Sequence, residues 1–316
     1  MNTKSFVSKL NRITKQLSSM TPAQREIVHQ SIQALEAEIS TDEIIQPLFD
    51  LSPQCPHCES TQLKKWGKSG AIQRYRCKGC HKTFNNKTKT PFSRLHKSHL
   101  WEDYARCMQL KLTLREAAEV CGINLKTAFL WRHRFLVAQA GKNDDKLSGI
   151  IEVDEFFLAY SEKGSNTLAE QRQPRKRGGG IDKRTKDGQV AVLLSIDRSN
   201  HMINPMLAAD TTAEIAANLA ENITEHSVLC SDGSWSYVAI AKQKHCDHKR
   251  LINGEIRVID EVYHIQTVNG AIANFKGWIN GKMKGVATKY LSNYLAWFRE
   301  SNAKLDKQQI LVAAYG

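Results

Sequence analysis

Ile150-Ile151-Glu152-Val153-Asp154-Glu155-Phe156-Phe157 is the stretch on which the fold turns. Five of its eight residues are β-branched or aromatic, the composition of a buried strand. Asp154 sits inside it, where an ionised side chain is costly unless it is paired or holds a metal. The stretch also marks a change of character. The polar, charged run from Gly141 to Ser148 reads as a linker, and beyond it strand-forming and helix-forming segments alternate, so the fold class of this part is α/β.

Downstream, Gln189 to Ile196 is a second apolar strand, and a third around His201 to Leu207 would complete a meander. Thr211-Thr212-Ala213-Glu214 opens a helix to about Thr224. Val228 to Cys230 is a short buried strand that ends at Ser231-Asp232-Gly233, and Leu251 to Val258 carries the hairpin signal Asn253-Gly254. Val268 to Ile279 and Thr288 to Arg299 read as helices. Residues 161 to 187 form a long polar insertion; within it Arg172, Arg175, Lys176, Arg177, Lys183, Arg184 and Lys186 are suited to gripping a phosphate backbone, and a solvated insertion is the plainer reading.

Asp154 and Asp232 stand in or at the end of two sheet-forming segments. Carboxylates so placed can clamp hard cations, which take oxygen ligands and keep positions open for phosphate and water. The competing reading pairs Asp154 with an arginine and makes Asp232 the cap of a helix starting near Ser234. Asn269 and Lys276 lie seven apart, two turns along one helical face. An asparagine carbonyl ligates Mg²⁺ without adding charge and a lysine holds a phosphate, although an ordinary solvent-facing pair has the same spacing.

Upstream of the linker, Cys55-x2-Cys58-x18-Cys77-x2-Cys80 matches a tetrahedral Zn²⁺ site and predicts a zinc ribbon over 51–97. From Cys55 to Lys97 there are eleven Lys/Arg against one acid, Glu59, so a polyanion is the natural partner. Residues 1–50 read as a helical lead-in, with Thr21-Pro22-Ala23-Gln24 as an N-terminal cap before Ile27, Ile32, Leu35 and Ile39. Residues 98–142 read as a DNA-binding region in which Leu114 to Phe135 forms a helix-turn-helix. Gly122 serves the turn, Asn124 caps the second helix, Leu125, Ala128, Phe129 and Trp131 point inward, and Lys126, Thr127, Arg132 and Arg134 point toward a major groove. Cys107, Cys121, Cys230 and Cys246 read as small buried hydrophobes, and His245-Cys246-x-His248 lacks a paired knuckle.

The 316 residues carry a formal charge of +13, which favours polyanions as partners. No run of eighteen apolar residues occurs and Met1 to Lys15 has no apolar core, so neither a membrane span nor a signal peptide is expected and the protein is expected in the cytoplasm, with reduced cysteines.

The order of Ile151-Glu152-Val153-Asp154-Glu155, the basic Gly-rich segment Arg175 to Gly180, Ser231-Asp232-Gly233, Thr267-Val268-Asn269-Gly270 with Phe275-Lys276, and Gly285-Val286-Ala287-Thr288-Lys289-Tyr290-Leu291 with Tyr294-Leu295 and Trp297-Phe298 resembles bacterial insertion-sequence transposases of the IS1595 type, with the ISXO2-like transposase domain. An N-terminal zinc ribbon belongs to the same pattern. The resemblance covers roughly residues 50 to 300. It implies an RNase H-like mixed-sheet catalytic core over 148–305, of the Asp-Asp-Glu class with the third acid replaced by Asn269. Asp154, Asp232 and Asn269 would hold two Mg²⁺ or Mn²⁺ ions and Lys276 would contact DNA near the cleaved end, with Glu261 or Asp260 as possible substitutes for a third carboxylate. It further implies a bacterial, nucleoid-associated enzyme that binds terminal inverted repeats and target DNA as a homodimer or higher oligomer, with Arg175, Lys176 and Arg177 on the backbone. A transposase whose catalytic domain has decayed to a zinc-dependent DNA-binding protein, and a nuclease that cuts without joining, are the other readings.

Overall fold

The computed structural model of the protein describes residues 14, 16–21, 41–70, 72–140, 146–165, 188–208, 211–252, 256–302 and 307–315. The expected cap and apolar positions of residues 22–40, the basic stretch around Arg175, Lys176 and Arg177, and the Asn253-Gly254 turn lie outside these residues. The chain divides into two compact units, residues 1–86 with 95–101, and residues 87–94 with 102–316.

In the first unit, helix α1 (Thr41–Leu51) precedes strands β1 (Leu63–Ser69), β2 (Ile72–Cys77) and β3 (Thr83–Asn85), which form an antiparallel sheet in the order β1-β2-β3. Its apolar content is small: Phe49 of α1, Tyr75 and Phe84 pack ring against ring at 5.0 to 6.3 Å. Gln46 donates to the Tyr75 hydroxyl at 3.0 Å and accepts from Asn86 at 3.0 Å, tying α1 to the sheet. A core this thin needs a further cross-link, and a metal knuckle is the usual one.

The second unit holds three helices ahead of its sheet: α2 (Trp101–Gln109), whose first residue falls in the first unit, α3 (Leu114–Val120) and α4 (Leu125–Ala140). Thr113 and Glu116 form a reciprocal capping box at the start of α3. Gly122 takes φ +58° in the following turn, and Asn124 Oδ1 accepts from the Lys126 amide at 2.8 Å. The cap and the glycine turn expected between these two helices are therefore present.

The orientation of α4 differs from expectation. Arg132 is fully buried, not groove-facing: its guanidinium lies 4.5 Å over the Trp297 ring and its Nη2 donates to the Leu112 carbonyl at 2.9 Å. Leu125 and Phe129, expected inside, are exposed, and Lys126 and Thr127 keep access to solvent. The reason is long-range. Helix α4 is packed by two C-terminal helices, α8 (Leu291–Asn302) and α9 (Lys307–Tyr315), so the face holding Arg132 meets aromatic rings instead of water. Arginine suits that place because its planar, weakly hydrated cation stacks on indole.

The sheet of this unit has the order β6-β5-β4-β7-β8. Strands β4 (Ile150–Ala159), β5 (Gln189–Asp197) and β6 (Met202–Ile203) form the antiparallel meander; β7 (Val228–Ser231) and β8 (Asp247–Arg250) run parallel to β4. The result is a mixed sheet in an α/β unit. One face is covered by α5 (Thr212–Asn222) and α6 (Trp235–Gln243), with Ile151, Val153, Leu193 and Leu229 meeting Ile215, Leu219, Tyr237 and Ile240. The other face carries α7 (Gln266–Lys276), continued by a π-helical stretch Gly277–Lys282: Phe275 packs on Phe156 at 5.6 Å and on Phe298 of α8 at 5.2 Å. Thr211 caps α5, accepting from the Glu214 amide at 3.3 Å.

Candidate catalytic cleft and zinc knuckles

Because strand side chains alternate, Glu152, Asp154 and Phe156 share the face of β4 that meets α7, while Ile151, Val153 and Glu155 share the other. Parallel pairing aligns Ile150 with Val228, Ile151 with Leu229 and Glu152 with Cys230; Asp154 and Asp232 each lie two residues beyond the last of these pairs, and the Asp232 charge reaches Asp154. The two aspartates expected from sequence are thus brought together at the carboxyl end of β7, next to the central strand.

Helix α7 is fixed across this face at both ends. Near its start, Glu152, fully buried, accepts from the Val268 amide at 3.0 Å and ion-pairs with Arg198, while His264 Nδ1 stands 3.3 Å from its Oε1. Arg198 also donates to Thr267 Oγ1 at 3.0 Å and to the Val262 carbonyl at 3.0 Å. At the far end, Lys276 Nζ lies 5.3 Å from the centre of the Phe156 ring. Asp154 lies between Glu152 and Phe156 on the strand, so Asn269, exposed and next to Val268, and Lys276 flank its position along the helix.

Burial pushes the Asp154 carboxyl up to about 6; the Glu155 amide, which donates to its Oδ1 at 2.8 Å, and the Lys276 charge pull the other way, while Asp232 adds to the rise. Asp232 is exposed, and its Oδ1 accepts from the Ser234 amide at 3.0 Å, so the residue caps the turn into α6 while its charge stays within electrostatic reach of Asp154. Among the described residues, no third His, Cys, Asp or Glu joins these two in a group fit to hold a metal. Asp260 is occupied elsewhere, 4.0 Å from Lys249. A half-buried carboxylate with a like charge beside it and open solvent on one side suits a divalent cation, which would relieve both the burial cost and the repulsion.

Sequence reasoning missed Glu152, whose burial against Arg198 depends on a contact 46 residues away. It also missed Glu155 on the reverse face, whose carboxyl is raised by burial and which lies within electrostatic reach of Tyr237, Asp154 and Asp232. Three acids, Glu152, Asp154 and Glu155, within one apolar strand were the available signal.

In the first unit the four cysteines close on one another, all sulfurs lying within 4.8 Å; Cys55 to Cys80 is 3.6 Å and Cys58 to Cys77 is 3.5 Å. Four thiolates around one Zn²⁺ at ~2.3 Å have sulfurs roughly 3.8 Å apart, so the group is the right size for zinc. The Cys77 thiol is drawn down to about 6, chiefly by the Cys80 amide and then by the Gly79 amide, the knuckle bonds that favour a thiolate. By contrast His248 bonds Ser231 Oγ at 2.8 Å, and Cys246 reaches only backbone carbonyls.

Residues 146–299 match the family model of the ISXO2-like transposase domain. Over 256 residues the chain is 26% identical to an uncharacterized protein in transposable element ISH50 of Halobacterium salinarum, covering 78% of this chain and 83% of that relative. Two solved structures share a slight likeness. A pre-cleavage Mos1 transpososome has 9% identity and TM-score 0.27, covering 68% of this chain and 79% of that one. A Mos1 transposase paired-end complex with left transposon end has 8% identity and TM-score 0.28, covering 68% and 78%. At such scores nothing about this chain follows from them. Among the described residues, no helix is long and apolar enough to cross a membrane.

Proposed function

Residues 146–299 belong to the ISXO2-like transposase domain family, and from that premise we propose that this transposase binds the terminal inverted repeats of its own insertion sequence, cleaves the ends and joins their 3′-hydroxyls to target DNA. The observation that carries the proposal is the meeting of Asp154 and Asp232, from adjacent parallel strands, on the face crossed by the helix that bears Asn269 and Lys276. We read the antiparallel meander β6-β5-β4 followed by parallel β7 and β8 as an RNase H-like core.

In this reading Asp154, Asp232 and the Asn269 carbonyl hold two Mg²⁺ or Mn²⁺ ions, which when bound supply an activated water and neutralise charge on the scissile phosphate. Lys276 holds a nonbridging phosphate oxygen as charge builds on it in an in-line displacement. Water is the first nucleophile and the freed 3′-hydroxyl the second, so no covalent bond to protein forms. The zinc ribbon, held by Cys55, Cys58, Cys77 and Cys80, and the α3-turn-α4 segment, through Lys126, Thr127 and Arg134, select the ends. Arg132 takes no part, being buried. Arg175, Lys176 and Arg177 contact flanking backbone, and two copies of the chain hold two ends.

The test is incubation of purified protein with Mg²⁺ and duplexes from the DNA flanking its gene, resolving nicked and joined strands, with Asp232→Asn as control. Defined nicking and joining that vanish in the variant, while end binding persists, is the expected result. Specific binding without cleavage in either metal would overturn the catalytic reading in favour of a DNA-binding protein; cutting without joining would make it a nuclease.

A further inference from the structure

The ribbon sheet has two unlike faces. Tyr75 and Phe84 turn to α1, while Lys64 and Arg76, a cross-strand pair, turn the other way with Arg74. On that outer side stands Trp66, 40% exposed, with the Arg76 guanidinium 4.8 Å and Lys64 Nζ 5.7 Å from the ring centre. An indole on the solvent face of an edge strand contributes nothing to the small core behind it. Its placement is nonetheless built: the β1–β2 register breaks between Lys65 and Lys68, Gly67 takes φ +71°, and Gln73 Nε2 holds the Gly67 carbonyl at 2.8 Å. Bulges of this kind re-aim a side chain.

We propose that Trp66 is the base-contacting platform of the ribbon, its ring lying against the face of a base that binding unstacks from the duplex, while Lys64, Arg74 and Arg76 take the flanking phosphates. This rests on the transposase reading for the identity of the DNA and goes beyond it in naming the contact. An aromatic ring contributes stacking that every base satisfies, and the cations contribute counterion release; the two differ in salt dependence. In the free protein the cations lie over the ring, so DNA binding exchanges ring for phosphate as their partner.

The test uses the full chain, a fluorescent terminal-repeat duplex and a scrambled duplex, with Kd measured across a salt series and zinc content assayed in each variant. Trp66→Leu, retaining zinc, is expected to weaken binding about tenfold or more with an unchanged salt slope, and Trp66→Phe to restore most of the affinity. Lys64→Gln with Arg76→Gln is expected to flatten the slope by about two. Wild-type affinity in a zinc-loaded Trp66→Leu protein overturns the proposal. Should Trp66→Leu lose zinc, the Trp66→Phe protein decides: a zinc-loaded variant that fails to bind equally refutes a role for stacking. Wild-type protein that fails to prefer terminal repeats over scrambled duplex would count against the end-binding reading alone, since the loss in Trp66→Leu is then read on both duplexes.

Discussion

Asp154→Asn should make the metal-free protein more stable while removing its chemistry. The Asp154 carboxyl rises from 3.8 in a free chain to about 6 in the folded one, burial being the main cause. A raised carboxyl means that the folded state binds the proton more tightly than the unfolded state, so stability falls as pH climbs through the window from 3.8 to about 6. Above that window the ionised group costs about 3 kcal/mol, a shift of about two pH units at ~1.36 kcal/mol each. At pH 4.5 the same group costs roughly 1 kcal/mol. An isosteric amide carries no such penalty, so at pH 7.5 with a chelator the variant should gain roughly 2–3 kcal/mol, and melt roughly 4–10 °C higher. The gain should shrink by more than half at pH 4.5. Urea unfolding at both pH values reads the difference, and Mg²⁺ added at pH 7.5 should stabilise the wild type but not the variant. A variant that is no more stable at pH 7.5, or whose advantage is the same at pH 4.5, would refute the account of Asp154 as a buried charge waiting for a cation.

Two further outcomes are expected. Glu152→Gln keeps the shape of a side chain that holds the Val268 amide and Arg198 but removes its charge, so it should cost roughly 1.5–3 kcal/mol in a denaturant titration and lower cleavage more than end binding, by loosening the helix that carries Asn269 and Lys276; equal loss of both activities would count against a positioning role. Cys77→Ser should lower bound zinc from one ion per chain, measured by elemental analysis, and weaken DNA binding, whereas retained stoichiometry would contradict a four-cysteine site.

Much of the site could be read from local chemistry. The strand at Ile150 and the strand that ends before Asp232 announced themselves by composition, and the Thr211 and Asn124 caps by the side-chain oxygen that a helix start requires. What escaped reading depended on partners distant in the chain. Asp247-His248-Lys249-Arg250 has no strand propensity, yet forms β8 because parallel pairing with β7 satisfies its backbone at the sheet edge. Arg132 has the sequence of a groove-facing residue and is buried because Trp297 lies 165 positions further on. The expected helix from Val268 changes to a π-helical path at Gly277, where Trp278 enters the aromatic cluster with Phe275 and Phe298.

Glu152 and Asp154 make the division of labour within one strand explicit. Both are carboxylates on the same face of β4, two residues apart, Glu152 fully buried and Asp154 half-buried, and burial acts against the charge of each. Around Glu152 the fold supplies Arg198, His264 and a backbone amide, so its charge is fully answered by protein and its effect is to hold α7 in place. Around Asp154 it supplies one amide, a lysine at the far end of the same helix, and a second aspartate that worsens the repulsion. Stability alone would favour answering the second charge as it answers the first. Leaving it unanswered, next to Asp232 and within a scaffold that Glu152 makes rigid, is the arrangement expected where a cation and a phosphate complete the site.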